Sequence, residues 1–219
     1  MSTRWFRIGS AASGIVGVLM IIVSFSINAG PPPDATPEQL VAFGSQNFAS
    51  ILWGAWLQAV GPVLIVVFAL ALVFLAGAND RFVGWLTFFG GIILTVVSLV
   101  EVVCYIAALY PVPPSMALIS VALAHAVQHL YFFVAAPTLF LPLGAVLLGS
   151  PVLPRIFGYL ALLLGAAFAI LGIAFLLTLV LPPAVTAFAG IQALWWLAAA
   201  ITLIVQNERI PTDKRLPAG

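Results

Sequence analysis

An all-α, polytopic membrane protein built as a bundle of six transmembrane helices is the fold class this sequence predicts, and three observations predict it. Of 219 residues, 64% are hydrophobic and only 6% charged, whereas a soluble domain carries about 25% charged residues. Six apolar stretches each reach the roughly 20 residues that cross a 30 Å hydrocarbon core at 1.5 Å per residue. With six spans, all seven Lys and Arg residues also fall on one side of the membrane.

The spans run over about 8–28, 47–76, 82–109, 115–148, 154–181 and 184–206, within one domain covering 1–219 that ends in a tail over 207–219. The connections "AGPPPDATPEQ", "GANDR", "YPVPPS", "GSPVLP" and "LPP" are rich in Pro, Gly or Asn, as turn chemistry requires. The first stretch, Ile8 to Ile27, exceeds the roughly 7–15 residues of a signal-peptide core and reads as a span. No stretch alternates polar and apolar residues as barrel strands do. Pro62, Pro137 and Pro142 sit within the long second and fourth spans, where tilt or kinking absorbs the excess length.

Arg4 and Arg7 precede the first span, Arg81 separates the second and third, and Arg155 opens the fifth. Arg209, Lys214 and Arg215 follow the sixth. The positive-inside rule makes that face cytoplasmic, so both termini are expected inside, in a multi-pass protein of a bacterial inner membrane. In the first outer connection, Thr36 is a helix N-cap, Pro37 suits the first helical position, and Gln39 completes a capping box. A short amphipathic helix carrying Leu40, Val41 and Phe43 follows, resting on the outer surface or lying over the bundle. Gly158, Gly165 and Gly172 stand at seven-residue intervals, and Gly9, Ser13 and Gly17 at four, as helix-packing stripes do.

Polar side chains in such a chain need partners. His125, Gln128 and His129 share one helix face, and so do Ser98, Glu101, Cys104 and Tyr105 on the preceding span. Counted from the ends of the connecting turn, Glu101 lies about 13 Å deep and His125 about 16 Å. Gln58 and Gln192 reach similar depth from the second and sixth spans. Trp53, Trp56, Tyr105, Phe132, Trp195 and Trp196 surround these residues in sequence. The expectation is an aromatic-lined polar pocket in the outer half of the membrane. Glu101 and His125 are its candidate reactive groups. Gln58, Tyr105, Gln128, His129, Gln192, Trp195 and Trp196 are its candidate ligand-binding residues.

A charged carboxylate at the bilayer centre costs about 2.5–3.5 kcal/mol on insertion scales. Glu101 lowers that cost by staying protonated, by pairing with a protonated histidine, or by holding a cation. The simple structural alternative is one interhelical hydrogen bond between Glu101 and His125. His125, His129 and Glu101 also form an alternative set of metal ligands, with zinc or a singly ligated haem as the group. "HAVQH" lacks the internal glutamate of a metalloprotease helix, however, and two histidines on one face cannot be opposite axial ligands of one haem. Cys104, the single cysteine, excludes an internal disulfide and a multi-thiolate metal site. No cofactor is therefore expected.

The formal net charge of +1 and the lack of a basic patch point away from nucleic acid. Expected partners are membrane lipid, a small lipophilic or cationic ligand, and a second copy or a larger membrane complex. A membrane enzyme using Glu101 as acid in an isomerase or cyclase reaction stays open, as does a structural subunit. No inverted repeat or matched pair of broken helices signals a transporter.

The stretch "LPLGAVLLGSPVLPRIFGYLALLLGAAFAILG", residues 141–172, joins a helix end, a short loop with Pro-Arg and a glycine-punctuated helix. With the "DATPEQL" segment after the first span, it resembles a family of small bacterial six-helix membrane proteins that forms a domain of unknown function. The resemblance implies the six-helix fold and no activity.

Overall fold

The computed structural model describes residues 3–28, 30, 31, 35–108, 113–175 and 183–208. The chain forms α1 (Thr3–Ile27), α2 (Pro37–Gln46), α3 (Phe48–Leu75), α4 (Phe82–Ala107) and α5 (Pro114–Leu130). A π-helical turn (Tyr131–Ala135) joins α5 to α6 (Ala136–Leu148), and α7 (Arg155–Phe175) and α8 (Pro183–Glu208) complete the bundle. Six helical stretches are long and apolar enough to cross a membrane, the fourth being the continuous 35-residue rod Pro114–Leu148. No strand occurs among the described residues. The bundle is all-α and of membrane type, as expected.

Element limits differ from the predicted ones where hydropathy is a poor guide. α1 begins at Thr3, so Arg4 and Arg7 belong to the helix. The fifth span is described as far as Phe175, and the predicted part over 176–181 lies outside the described residues. Arg209, Lys214 and Arg215 lie outside them too. The short helix predicted after Thr36 is present. Thr36 accepts from the Gln39 backbone N–H at 3.3 Å, and the Thr36 N–H donates to Gln39 Oε1 at 2.8 Å. Asn47 alone separates α2 from α3.

Around the bundle α1 packs on α3, α3 on α4, α4 on α5 and α6, and α6 on α7. α8 completes the ring between α7 and α1. Lipid offers no hydrophobic drive for this association, so close backbone approach and polar contacts must supply it. Gly17 and Gly61 face each other across the α1–α3 seam. A Cβ on Gly17 would stand 2.7 Å from the Gly61 carbonyl oxygen, and one on Gly61 would stand 2.9 Å from that of Gly17. Two turns along, Ser24 Oγ donates to the Gly54 carbonyl at 2.8 Å, tying the same two helices.

The α6–α7 seam uses the predicted stripe. Gly158 is covered by Leu148, Gly165 by Leu141 and Gly172 by the backbone of Phe133. The first step on the facing helix is seven residues and the second is eight. The π turn holds that extra residue, so the seam stays in register beyond it. Pro137 follows the turn and has no N–H for the Phe133 carbonyl, which gives a local reason for the wider helix there. Pro142 likewise frees the Thr138 carbonyl, against which Gly90 of α4 packs so closely that a Cβ would overlap it.

Phe68, Phe140, Phe168 and Trp196 fill the centre, all fully buried and in ring contact with one another or with Trp195. Exposed aromatic rings mark two levels outside it. Trp53 and Trp56 stand on α3 near α2, whereas Trp5, Trp85 and Tyr159 stand at the other end, where Phe6 meets Phe74 at 5.3 Å. Along α3 the two levels are roughly 30 Å apart, the thickness of a hydrocarbon core flanked by aromatic belts. Arg4, Arg7, Arg81 and Arg155 lie at the end away from α2.

The glycine seam yields a direct expectation. Gly61→Ala forces the α1 and α3 backbones apart and should cost about 1–3 kcal/mol. Gly9→Ala, with nothing within 4 Å of the new methyl, should be neutral or stabilise by up to about 1 kcal/mol through helix propensity. Denaturant-driven unfolding in mixed micelles, followed by tryptophan fluorescence, measures both.

Candidate functional site

Glu101 is placed on the inner face of α4 because Leu94, Val97 and Val102 share its side and bury it. The register across the bundle fixes its height. Gly91 packs on Val66 of α3, so ten residues further along α4 Glu101 comes level with Trp56, at the aromatic belt nearest α2. Gln128 Nε2 donates to Glu101 Oε1 at 2.8 Å and to the Tyr105 hydroxyl at 3.2 Å. Gln58, itself buried, approaches the same carboxyl from α3. The carboxyl thus accepts from the Gln128 amide of α5 and faces the Gln58 amide of α3, and no ion pair forms to it among the described residues.

A second pair stands one turn further from α2. The Tyr131 hydroxyl donates to Gln192 Oε1 at 2.5 Å, linking the π turn to α8. Tyr131 was not among the predicted site residues. Its signal was present in its position three residues after Gln128, on the same helix face. Above the first network lies α2, packed on α5 and α3 with Leu40 and Gly44 buried. A cavity of about 30 Å³ separates them, lined by Asn28, Leu40, Phe43, Ile51, Tyr105 and Val121 among others. It has room for one or two waters.

Several predicted site residues stand elsewhere. His125 is exposed and forms no side-chain hydrogen bond among the described residues. The expected Glu101–His125 contact is replaced by Glu101–Gln128. The cause is angular: Ala117, Ala124 and Gln128 turn toward the bundle, which leaves His125 about 100° around the helix. His125 stands one turn nearer α2 than Gln128, close to the level of the exposed Trp56. His129 is half-buried and likewise unbonded. No three His, Cys, Asp or Glu side chains converge among the described residues, so His125, His129 and Glu101 are not brought together as a ligand set.

Trp195 and Trp196 belong to the aromatic core, not to the lining of the network. Trp195 Nε1 donates to the Phe157 carbonyl at 3.2 Å, and the two indoles pack on Phe140. Trp196 Nε1 is buried with no acceptor among the described residues. Of the predicted residues, the structure gathers Glu101, Gln58, Tyr105 and Gln128 in one network and Gln192 in the adjacent one. This arrangement can present a hydrogen-bond acceptor beneath α2.

Compared with family models, curated proteins and solved structures, the chain matches none.

Removing Gln128 should be costly and removing His125 should not. Gln128→Leu strips Glu101 and Tyr105 of a shared donor and should destabilise by about 1–3 kcal/mol. Exposed, unbonded His125→Ala should stay within about 0.5 kcal/mol of wild type. Parallel unfolding curves in the same detergent compare them.

Proposed function

We propose that this chain is a six-span membrane protein that binds a small amphiphile at the α2 end of its bundle. The amphiphile's hydrogen-bond-donating or cationic head would meet Glu101, and its apolar part would lie among the helices. One observation carries the reading: a buried carboxyl at the level of an aromatic belt, held only by uncharged partners. An ionisable group in a membrane helix is expensive and marks function by default. Held by amides, Glu101 keeps acceptor capacity for one more donor.

The cavity beneath α2 is too small for such a ligand, so occupancy requires α2 to lift from Tyr105. Two features support that movement. α2 buries only Leu40 and Gly44, and it is joined to α3 through Asn47 alone. The clustering of Arg4, Arg7, Arg81 and Arg155 at the far end supports a cytoplasmic placement for that end and an external one for α2. The cell membrane of a bacterium and both termini inside follow from this reading. The resemblance over residues 141–172 favours the same arrangement and assigns no activity.

Two experiments test the proposal. Native mass spectrometry of protein purified in mild detergent should show a single small-molecule adduct, present in His125→Ala and lost in Glu101→Ala and Gln128→Leu. Absence of any adduct, or an adduct indifferent to Glu101, would contradict binding at this site. Reporter fusions after Arg81 and after Ser150 should read cytoplasmic, and fusions between residues 29 and 36 external. One reversal among them overturns the orientation.

A further inference from the structure

Charge is divided unevenly between the two ends of the bundle. From residue 8 to 80, from 82 to 154 and from 156 to 208 the sequence contains no Lys or Arg. Glu101 lies beneath α2, and α2 itself carries the exposed acid Glu38. The side chains that meet or face the Glu101 carboxyl, Gln128 and Gln58, are uncharged. The α2 end thus holds buried negative chemistry with no Lys or Arg to answer it.

Hydrogen bonding is equally one-sided there. Glu101 Oε1 accepts from Gln128, while its second oxygen accepts from no group among the described residues. Gln58 is only 7% exposed, and its side chain faces the carboxyl without a well-formed hydrogen bond among the described residues. Pro62, four residues on, has no N–H for the Gln58 backbone carbonyl, and both residues are buried on one face of α3. Three acceptors therefore stand together without donors: a carboxyl oxygen, a backbone carbonyl and a side-chain carbonyl. Buried acceptors of this kind are costly unless something donates to them.

The chemistry of the missing partner follows from that count. A primary ammonium brings three donors, a positive charge and no acceptor, whereas a hydroxyl donates once. A quaternary ammonium donates nothing and is held by aromatic faces. Tyr105 is the aromatic side chain that joins this network. Trp53 and Trp56 are exposed on the outside of α3, and Trp195 and Trp196 are packed in the core.

We infer that the head held at Glu101 is the ammonium of a long-chain primary amine, bound by Glu101 and the two carbonyls of Gln58. The inference rests on the amphiphile-binding reading above and narrows it to one ligand class. Phosphatidylethanolamine offers the same ammonium, but its phosphate would enter an end without Lys or Arg, so a free amine is the fitting source.

Full-length protein in mild detergent is titrated near neutral pH, where an amine is protonated. The probes are dodecylamine, dodecyltrimethylammonium, dodecanol and short-chain phosphatidylethanolamine, with occupancy read by native mass spectrometry. Dodecylamine should fill one site roughly tenfold more tightly than the other three, as charge-assisted hydrogen bonds require. Glu101→Gln keeps the shape and should erase that preference. Pro62→Ala gives the Gln58 carbonyl a partner within α3 and should weaken dodecylamine roughly fivefold. His125→Ala should bind as wild type, and an unfolding curve for each variant confirms its fold. Equal binding of all four probes that is still lost in Glu101→Ala would leave the amphiphile site standing and overturn the amine assignment. Tighter binding of dodecyltrimethylammonium or of phosphatidylethanolamine would overturn that assignment too. Dodecylamine binding indifferent to both Glu101 variants, or no binding of any probe, would overturn the assignment and the site together.

Discussion

Lipid cannot hold these helices together, and that constraint governs the rest of the structure. An apolar side chain gains nothing by exchanging lipid for another helix, so cohesion falls to backbone approach and polar pairing. Glycine supplies the first. The Gly17–Gly61 contact and the row Gly158, Gly165 and Gly172 fix which helices touch and at what height. The π turn is a consequence, since it keeps the second seam in register past Pro137. Once those seams are set, Glu101, Gln58 and Gln128 have no freedom to meet anywhere but beneath α2.

Heights then separate the bundle into functional layers. The Glu101 network lies at one aromatic belt, roofed by α2, and the Tyr131–Gln192 pair lies just below it. The aromatic core of Phe68, Phe140, Phe168 and Trp196 fills the centre of the bundle beyond them. Both of these interhelical side-chain networks thus lie on one side of a packed hydrophobic block. This layering suits a site that receives molecules from the α2 end of the bundle.

Much of this order was legible in the sequence, for physical reasons. Length and hydropathy define spans because every backbone polar group in lipid must be bonded within its helix. The capping box at Thr36 and Gln39 is local chemistry, so α2 was found at its predicted place. Glycine spacing revealed the α6–α7 seam. What escaped was anything that depends on rotation or axial shift of one helix against another. His125 and Gln128 share a broad helix face, yet only Gln128 is turned toward Glu101, and no periodicity separates them. Trp195 and Trp196 sit near Gln192 in sequence but pack into the core. The π turn, which sets the orientation of Tyr131, follows from Pro137 together with the partner helix.

The central claim is that the Glu101 network lies at the membrane boundary and not at its centre. Cys104, the only cysteine, stands three residues beyond Glu101 on α4, half-exposed, and gives a native attachment point for a nitroxide label. Its collision rates with oxygen and with a water-soluble nickel chelate, measured in nanodiscs by power saturation, report depth. A label at exposed Val96, in a Val96→Cys and Cys104→Ser protein, serves as the mid-membrane reference. The account predicts that the nickel chelate reaches the Cys104 label far better than the Val96 label. Equal, oxygen-dominated values at both positions would place the network in the hydrocarbon interior and contradict it.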